Sequence, residues 1–267
     1  MARDAEGRPV GLGMGADHRL PEVGADELPG CVPVVMVHPA HCKRGLGGAL
    51  LKKAEEFLAG RGHKILRAGY PTYVQDTLFS TLGVNARWIQ AVWFFKHYGY
   101  RVTNATDSAT VWLEGFQAPE RVLEEERRAK GQGVTPGMLE PGEAQAFLAF
   151  LEREFPNSWG RNFARRVAEN TLRFENVFVL RRGGGIIGFV GPFDVGESGV
   201  SAMGIGIGLA ADCRGKGLGR MLLYRGLEAM KEAGGRSCIL YGAGPKRYYE
   251  EAGFHLDHLW IFMEKRL

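Results

Sequence analysis

Cysteine is scarce and unpatterned in this chain of 267 residues: Cys31, Cys42, Cys213 and Cys238 include no C-x-x-C spacing. Neither a zinc site nor a disulfide framework follows from that pattern, and a reducing cytoplasm is the compartment it predicts. Bulk charge of one sign is also missing. Lys and Arg number 34 against 30 Asp and Glu, a formal net charge of +4, which gives no support to a nucleic-acid-binding role. The longest apolar stretch, around Ala202 to Ala211, is far short of a membrane span. Met1-Ala2-Arg3-Asp4-Ala5-Glu6 holds no apolar signal core. Hydrophobic content of 45% and charged content of 24% are values of a globular chain with room for one or two domains.

Present instead is a glycine-rich segment, Arg214-Gly215-Lys216-Gly217-Leu218-Gly219-Arg220. It lies between an apolar strand-like run, Met203 to Leu209, and an apolar-striped helix, Leu218 to Met230. Glycines let the backbone curl tightly and approach a ligand closely. At a helix start the exposed N–H groups and the dipole favour an anion, and Arg214, Lys216 and Arg220 add cations there. A Walker loop needs Gly-Lys-Ser/Thr, whereas Gly217 follows Lys216. A dinucleotide fingerprint needs G-x-G-x-x-G and an acidic residue ending the second strand, and Ser237 to Tyr241 ends in no carboxylate. Taken alone, the segment leaves a glycine-rich turn of no function as the alternative.

The segment occurs twice. Gly45-Leu46-Gly47-Gly48-Ala49-Leu50-Leu51 reads against Gly217-Leu218-Gly219-Arg220-Met221-Leu222-Leu223. Each copy follows a strand-like run, Pro33 to Val37 or Met203 to Leu209, and each opens a helix. Leu46, Leu50, Ala54 and Phe57 make one face of the first helix, and Leu218, Leu222, Leu227 and Met230 one face of the second. The helices stop at Gly60/Gly62 and Gly234/Gly235. A short strand follows each, Lys64 to Ala68 and Ser237 to Tyr241. Then comes a short helix ending in a glycine-aromatic step, Phe94-Phe95-Lys96-His97-Tyr98-Gly99-Tyr100 or Tyr248-Tyr249-Glu250-Glu251-Ala252-Gly253-Phe254. Two ordered motifs in each of two copies read as a tandem duplication.

Arg214 to Gly219 fits the pattern Q/R-x-x-G-x-G/A, and the last helix is similar to an F-Y-x-x-x-G-F ending. With these motifs the chain resembles the GNAT N-acetyltransferase superfamily over most of its length. The resemblance implies an α/β (α+β) fold of two tandem GNAT-like domains, each a mixed, strongly twisted sheet flanked by helices. Residues 1–118 are expected to form an incomplete, non-catalytic domain, 119–133 a charged helical linker, and 134–267 the catalytic domain. Pro119 to Arg128, closed by Gly131-Gln132-Gly133, reads as a solvated connector helix. Before its loop the second copy holds a strand near Val134 to Leu139. A helix capped at Glu140-Pro141-Gly142-Glu143 follows, with Phe147, Phe150 and Leu151 on its apolar side. A helix from Asn162 to Glu169 and a hairpin from Val177 to Phe193 come next. Arg3 to Gly11 matches Leu180 to Gly188 of that hairpin, so the first copy lacks the opening strand and both helices. The tandem architecture is similar to that of mycothiol synthase, without a reason to assign that enzyme's substrate.

Acetyl-CoA is the implied co-substrate, with no metal. The resemblance gives its pyrophosphate to Arg214, Gly215, Lys216, Gly217, Leu218, Gly219 and Arg220. Its pantetheine arm would pair with the strand Ile205 to Leu209, where Ile207 and Leu209 supply N–H and C=O groups. Gly204, Gly206 and Gly208 would leave room for close approach; a glycine-weakened edge strand is the alternative. Tyr249 aligns with the general acid that protonates the departing thiolate, and Tyr248 reads as a packed aromatic. The first copy has Phe95 and Cys42 where the second has Tyr249 and Arg214, so it is expected to be catalytically silent. No carboxylate lies on Ser201 to Leu209. Asp194, Glu197, His255, His258 and a water relay all stay open as the base. Phe155-Pro156-Asn157-Ser158-Trp159-Gly160-Arg161 falls where relatives cover the acceptor, and an inward-packed Trp159 is the other reading. The implied reaction is direct acetyl transfer from acetyl-CoA to the primary amine of a small molecule. No nucleic acid or membrane partner is expected, and a homodimer is compatible with this reading. The alternatives are a protein amine as acceptor, or a non-catalytic acyl-CoA binding or sensing module.

Overall fold

Asp4 makes the first reversal of the chain. Its carboxylate accepts the backbone N–H groups of Glu6 and Arg8 and turns β1 (Ala2–Arg3) back against β2 (Pro9–Ala16). β3 (Gly30–Val37) pairs antiparallel with β2. Helix α1 (Leu46–Gly60) then leads to β4 (Ile65–Ala68), which runs parallel to β3. β5 (Val84–Asn85), α2 (Ile89–His97) and β6 (Arg101–Trp112) follow. The structure, a computed structural model, describes residues 1–17, 29–69, 83–156, 158–242, 244 and 246–267, and only the backbone of Ser158, Gly204 and Ile205.

After β6 come α3 (Glu120–Gly131), β7 (Val134–Met138), α4 (Ala144–Glu154) and α5 (Ser158–Ala168). They are followed by β8 (Phe178–Arg182), β9 (Gly185–Val195), β10 (Val200–Leu209) and α6 (Leu218–Glu232). β11 (Ser237–Tyr241), α7 (Lys246–Glu250) and β12 (His255–Arg266) end the chain. Two units result, Met1–Ser108 with His258–Leu267, and Ala109–Asp257. The division falls inside β6 and β12, and not at the charged stretch 119–133; α3 lies in the second unit and the last ten residues in the first.

In the first unit the strand order is β1-β2-β3-β4-β12, and in the second β7-β8-β9-β10-β11. The two units share one irregularity. Among the described residues β10 pairs with β11 at Val200↔Ser237, Ser201↔Cys238 and Ala202↔Ile239, although β10 continues to Leu209. β3 pairs with β4 only at Gly30↔Leu66, Cys31↔Arg67 and Val32↔Ala68, although β3 continues to Val37. Each unit is therefore a mixed sheet whose parallel pair parts after three residues. The mixed α/β class with flanking helices is as expected from the sequence.

A short 3-10 turn, Pro141–Glu143, closed by a reciprocal capping box of Glu140 and Glu143, leads into α4, which buries Phe147, Phe150 and Leu151. α5 begins at Ser158, earlier than Asn162, so Trp159, Gly160 and Arg161 ride on its first turn; Asn157 lies outside the described residues. On α1 the buried stripe is Leu50, Leu51, Ala54 and Leu58, whereas Phe57 is exposed. α6 buries Leu218, Leu222, Leu227 and Met230 as its pattern demands, and Met221, Leu223, Tyr224 and Ala229 as well. Tyr224 stacks on Phe116 and its hydroxyl donates to Glu251 C=O, and α3 packs on α6.

α3 is thus not a solvated connector. Val122 and Ala129 are buried, with Glu126 between them on the same face. Arg225 on α6 donates through Nε to Glu126 Oε2 at 2.7 Å, and Lys130 lies 2.8 Å from Glu126 Oε1. Burial opposes ionisation of Glu126, but hydrogen bonds from Lys130 and Arg225 outweigh it and hold its carboxyl below the ordinary value. A depressed folded pKa stabilises the protein at neutral pH, and that contribution is lost as pH falls through the folded value. Glu126→Gln is therefore expected to lower stability at pH 7 by about 2 kcal/mol. The thermal midpoint should drop by about 4–8 °C, and the gap to wild type should close on acidification toward pH 3. A midpoint gap that stays constant with pH would contradict this assignment.

Candidate active site

β10 carries the first part of the site. Its register with β9 shifts between Met203 and Gly206 and then runs Gly206↔Gly191, Ile207↔Val190, Gly208↔Phe189 and Leu209↔Gly188. Ala210 N–H donates to Ile187 C=O at 2.9 Å. In an antiparallel ladder this alternation turns the N–H and C=O groups of Ile207 and Leu209 away from β9. They face the edge that β11 has left. Leu209 C=O accepts from Arg214 Nε at 3.2 Å there.

At Gly206 and Gly208 the room left by the missing side chains is occupied. A Cβ on Gly206, which has φ +141°, would stand 3.0 Å from the Trp159 ring; one on Gly208 would stand 2.5 Å from Phe155 and 2.9 Å from Phe189. The space that these glycines leave is filled by aromatic rings, because residues 206 and 208 share the face that receives the α4–α5 junction. Trp159 is half-buried, with its ring 4.9 Å from Phe155 and 5.6 Å from Phe189. It packs inward.

The glycine loop forms the second part. A short turn at Ala211–Cys213 leads through extended Arg214 to Gly215 at φ +75° and Gly217 at φ +80°. Gly217 is the N-cap of α6 and offers no side chain to its N–H groups, so these donors stay available to an anion. A cavity of about 260 Å³ lies here, lined by Leu209, Arg214, Gly215, Gly217, Gly219, Arg220 and Tyr248. Arg214 and Lys216 are exposed, and Lys216 Nζ donates to Asp212 C=O at 2.9 Å. Leu218 is buried under the loop as the first apolar residue of α6. Gly215 faces open space, whereas Gly217 abuts the Glu125 carboxyl of α3, which also pairs with Arg220 at 3.4 Å. No sequence signal pointed to Glu125.

The first unit repeats this backbone. A turn at Pro39–His41 leads through extended Cys42 to Lys43 at φ +60° and to Gly45, the N-cap of α1, at φ +81°. Lys43 adopts the left-handed conformation that Gly215 takes in the second unit, at a cost of about 1–2 kcal/mol for a non-glycine residue. His38 N–H donates to Val10 C=O at 2.9 Å, matching Ala210 and Ile187.

The two tyrosines of α7 face different neighbours. Tyr248 lines the cavity, and its hydroxyl donates to Gly219 C=O. Burial raises its pKa. Tyr249 packs edge-on against Phe254 and Tyr248, and its hydroxyl makes no hydrogen bond to a described residue. Its pKa is raised too, by burial first and then by the neighbouring Cys238. In the first unit Phe94 lies against Gly47 and Phe95 against Tyr100, in the same arrangement without hydroxyls. The candidate bases are scattered. Asp194 is held by Arg166 at 3.0 and 2.9 Å. Glu197 sits in the turn before β10, at the strand end opposite the loop. His255 lies 3.5 Å from Asp257, and His258 belongs to the first unit. Among the described residues no cluster of three or more His, Cys, Asp or Glu could hold a metal, and no helix is long and apolar enough to cross a membrane.

The sequence profile of the Acetyltransferase (GNAT) family matches residues 144–254. No curated protein matches the sequence. Many solved structures share the fold, and three of them illustrate it. One is the GCN5-related glucosamine N-acetyltransferase region of a fungal multi-domain GH3 β-N-acetylglucosaminidase, with TM-score 0.78 and 19% identity over 98% of this chain and 32% of that one. The present chain thus spans about a third of that protein. Another is a GCN5-related N-acetyltransferase from Sphaerobacter thermophilus, with TM-score 0.69 and 19% identity over 99% of this chain and 79% of that one. The third is a tandem GNAT protein from the clavulanic acid biosynthesis pathway, with TM-score 0.63 and 16% identity over 98% of this chain and 81% of that one.

Gly215 offers the cleanest probe of the loop. It lines the cavity and has open space for a side chain, whereas a substitution at Gly217 would also collide with Glu125. Gly215→Asp is expected to weaken coenzyme A binding by about tenfold or more through added like charge, with a thermal midpoint shifted by only about 2–4 °C. Calorimetry showing unchanged affinity in the folded variant would rule the loop out as the binding site.

Proposed function

We propose, from the match of residues 144–254 to the Acetyltransferase (GNAT) family, that the second unit moves an acetyl group from acetyl-CoA directly to the primary amine of a small molecule. Acetyl-CoA-dependent N-acetylation is the general reaction of this family. The observation that carries the reading is the junction of β10 and α6. There an unpaired strand edge runs into an uncapped helix N-terminus ringed by Arg214, Lys216 and Arg220.

Each residue has a role in this proposal. The N–H groups of the loop from Gly215 to Arg220 hold the pyrophosphate, and the three cations neutralise it. The outward N–H and C=O groups of Ile207 and Leu209 pair with the amides of the pantetheine arm as a further strand would, with Gly208 between them bonded to β9. For Leu209 this means that Arg214 Nε exchanges its carbonyl contact for phosphate. Tyr249 donates a proton to the departing thiolate. Its raised pKa keeps the phenol protonated at the pH of the reaction, and its hydroxyl is free of other described partners, unlike that of Tyr248. With Asp194 held by Arg166 and Glu197 in the far turn, the acceptor's proton leaves through water at the open carbonyl edge.

The first unit is proposed to be non-catalytic. It retains the loop backbone with Cys42 in place of Arg214, and Phe95 has no proton to give. Thiol release from acetyl-CoA against a panel of small-molecule amines, with a lysine-bearing peptide as the protein-amine arm, tests the activity; no release with any acceptor would leave a binding or sensing module as the reading. Tyr249→Phe is expected to keep the fold and lower kcat by about 100-fold or more, with little change in KM for acetyl-CoA. Turnover within about twofold of wild type, with chemistry rate-limiting, would make Tyr249 a packing residue or shift catalysis to the first unit.

A further inference from the structure

Two adjacent glutamates of α3 meet α6 in different ways. Glu126 is satisfied by Arg225 and Lys130. Glu125 is not. Its side chain is only 20% exposed, its Oε1 lies 3.4 Å from Arg220, and its Oε2 is buried with no hydrogen-bond partner among the described residues. A Cβ placed on Gly217 would stand 2.9 Å from its carboxyl carbon. Burying a carboxylate oxygen unpartnered is unfavourable, so packing alone gives no reason for an acid here. The position does have an electrostatic reason. Gly217 is the uncapped N-terminus of α6, where the helix dipole favours negative charge, whether carboxylate or phosphate.

We propose that Glu125 is an internal counter-ion of the α6 loop: it holds Arg220 while the loop is free of phosphate, lowers the affinity for acyl-coenzyme A, and speeds release of the coenzyme A product. The inference rests on the reading of this loop as the acyl-coenzyme A site. When phosphate enters, two anions meet at one helix end. Arg220 is then the cation that passes from Glu125 to the ligand, and the loss of its ion pair with Glu125 weakens the complex.

The test is calorimetric titration of the full chain with coenzyme A and acetyl-CoA, using wild type, Glu125→Gln, Arg220→Gln and the double variant. Glu125→Gln is expected to bind about 5- to 50-fold more tightly at low ionic strength. That gain should shrink at about 0.5 M salt and largely vanish in the Arg220→Gln background. Glu125→Ala serves as the second variant should the glutamine protein not fold. Affinity unchanged or weakened in either folded variant, while Gly215→Asp still weakens binding, would overturn the role of Glu125 and leave the loop assignment standing. If Gly215→Asp leaves binding unchanged in the folded variant, the loop assignment itself fails and this inference falls with it.

Discussion

The parting of two parallel strands is the constraint on which the rest of the second unit depends. β10 and β11 share three residue pairs and then separate, so the outward backbone groups of Ile207 and Leu209 lose the partner that a parallel ladder would supply. Backbone donors and acceptors need partners, and one of these groups, Leu209 C=O, is met by Arg214. The crossover helix must start where the parted strand ends. That brings the N-terminus of α6 to the open edge. Gly217, in a left-handed conformation that most residues avoid, turns the chain into the helix without capping it. Strand edge and helix terminus thus place two sets of unused hydrogen-bonding groups side by side.

The first unit shows how separable backbone and chemistry are. Its parallel strands part after the same number of pairs, and its loop passes through the same sequence of conformations, with Lys43 forced into the place of a glycine. Phe94 and Phe95 occupy the sites of Tyr248 and Tyr249 and keep their ring contacts. The groups that differ carry charge or a proton: Cys42 for Arg214, Phe95 for Tyr249. Packing and turn geometry keep a fold together, while a phenol or guanidinium at the cleft contributes little to stability and can be lost without unfolding the unit.

Tertiary packing gave two sequence features a meaning that their local pattern did not suggest. The charged run on α3 looks solvated because its acids and bases outnumber its apolar residues, yet Val122, Glu126 and Ala129 recur at helical spacing and lie against α6. A buried acid is tolerated there because Arg225 and Lys130 complete its hydrogen bonds. The glycines of β10 likewise suggest space for a ligand, but on the face of Gly206 and Gly208 that space belongs to Trp159, Phe155 and Phe189. A missing side chain is equally compatible with a ligand and with a neighbouring ring.

The sequence by itself determined the repeated strand–loop–helix–strand pattern, the helix starts at Gly217 and Gly45, the helix cap at Glu140 to Glu143, and the contrast between Tyr249 and Phe95. These features are local: glycine punctuation, alternation of two in strands and 3.6 in helices all act within a few residues. Only the tertiary structure decided the bond from Tyr248 to Gly219, the contact of Glu125 with Gly217, the inward packing of Trp159, and the placement of the last strand in the first unit. Each of these joins residues far apart in the chain, or depends on which of two faces an element buries. That is settled by how whole elements pack and pair, and no short stretch of residues encodes it.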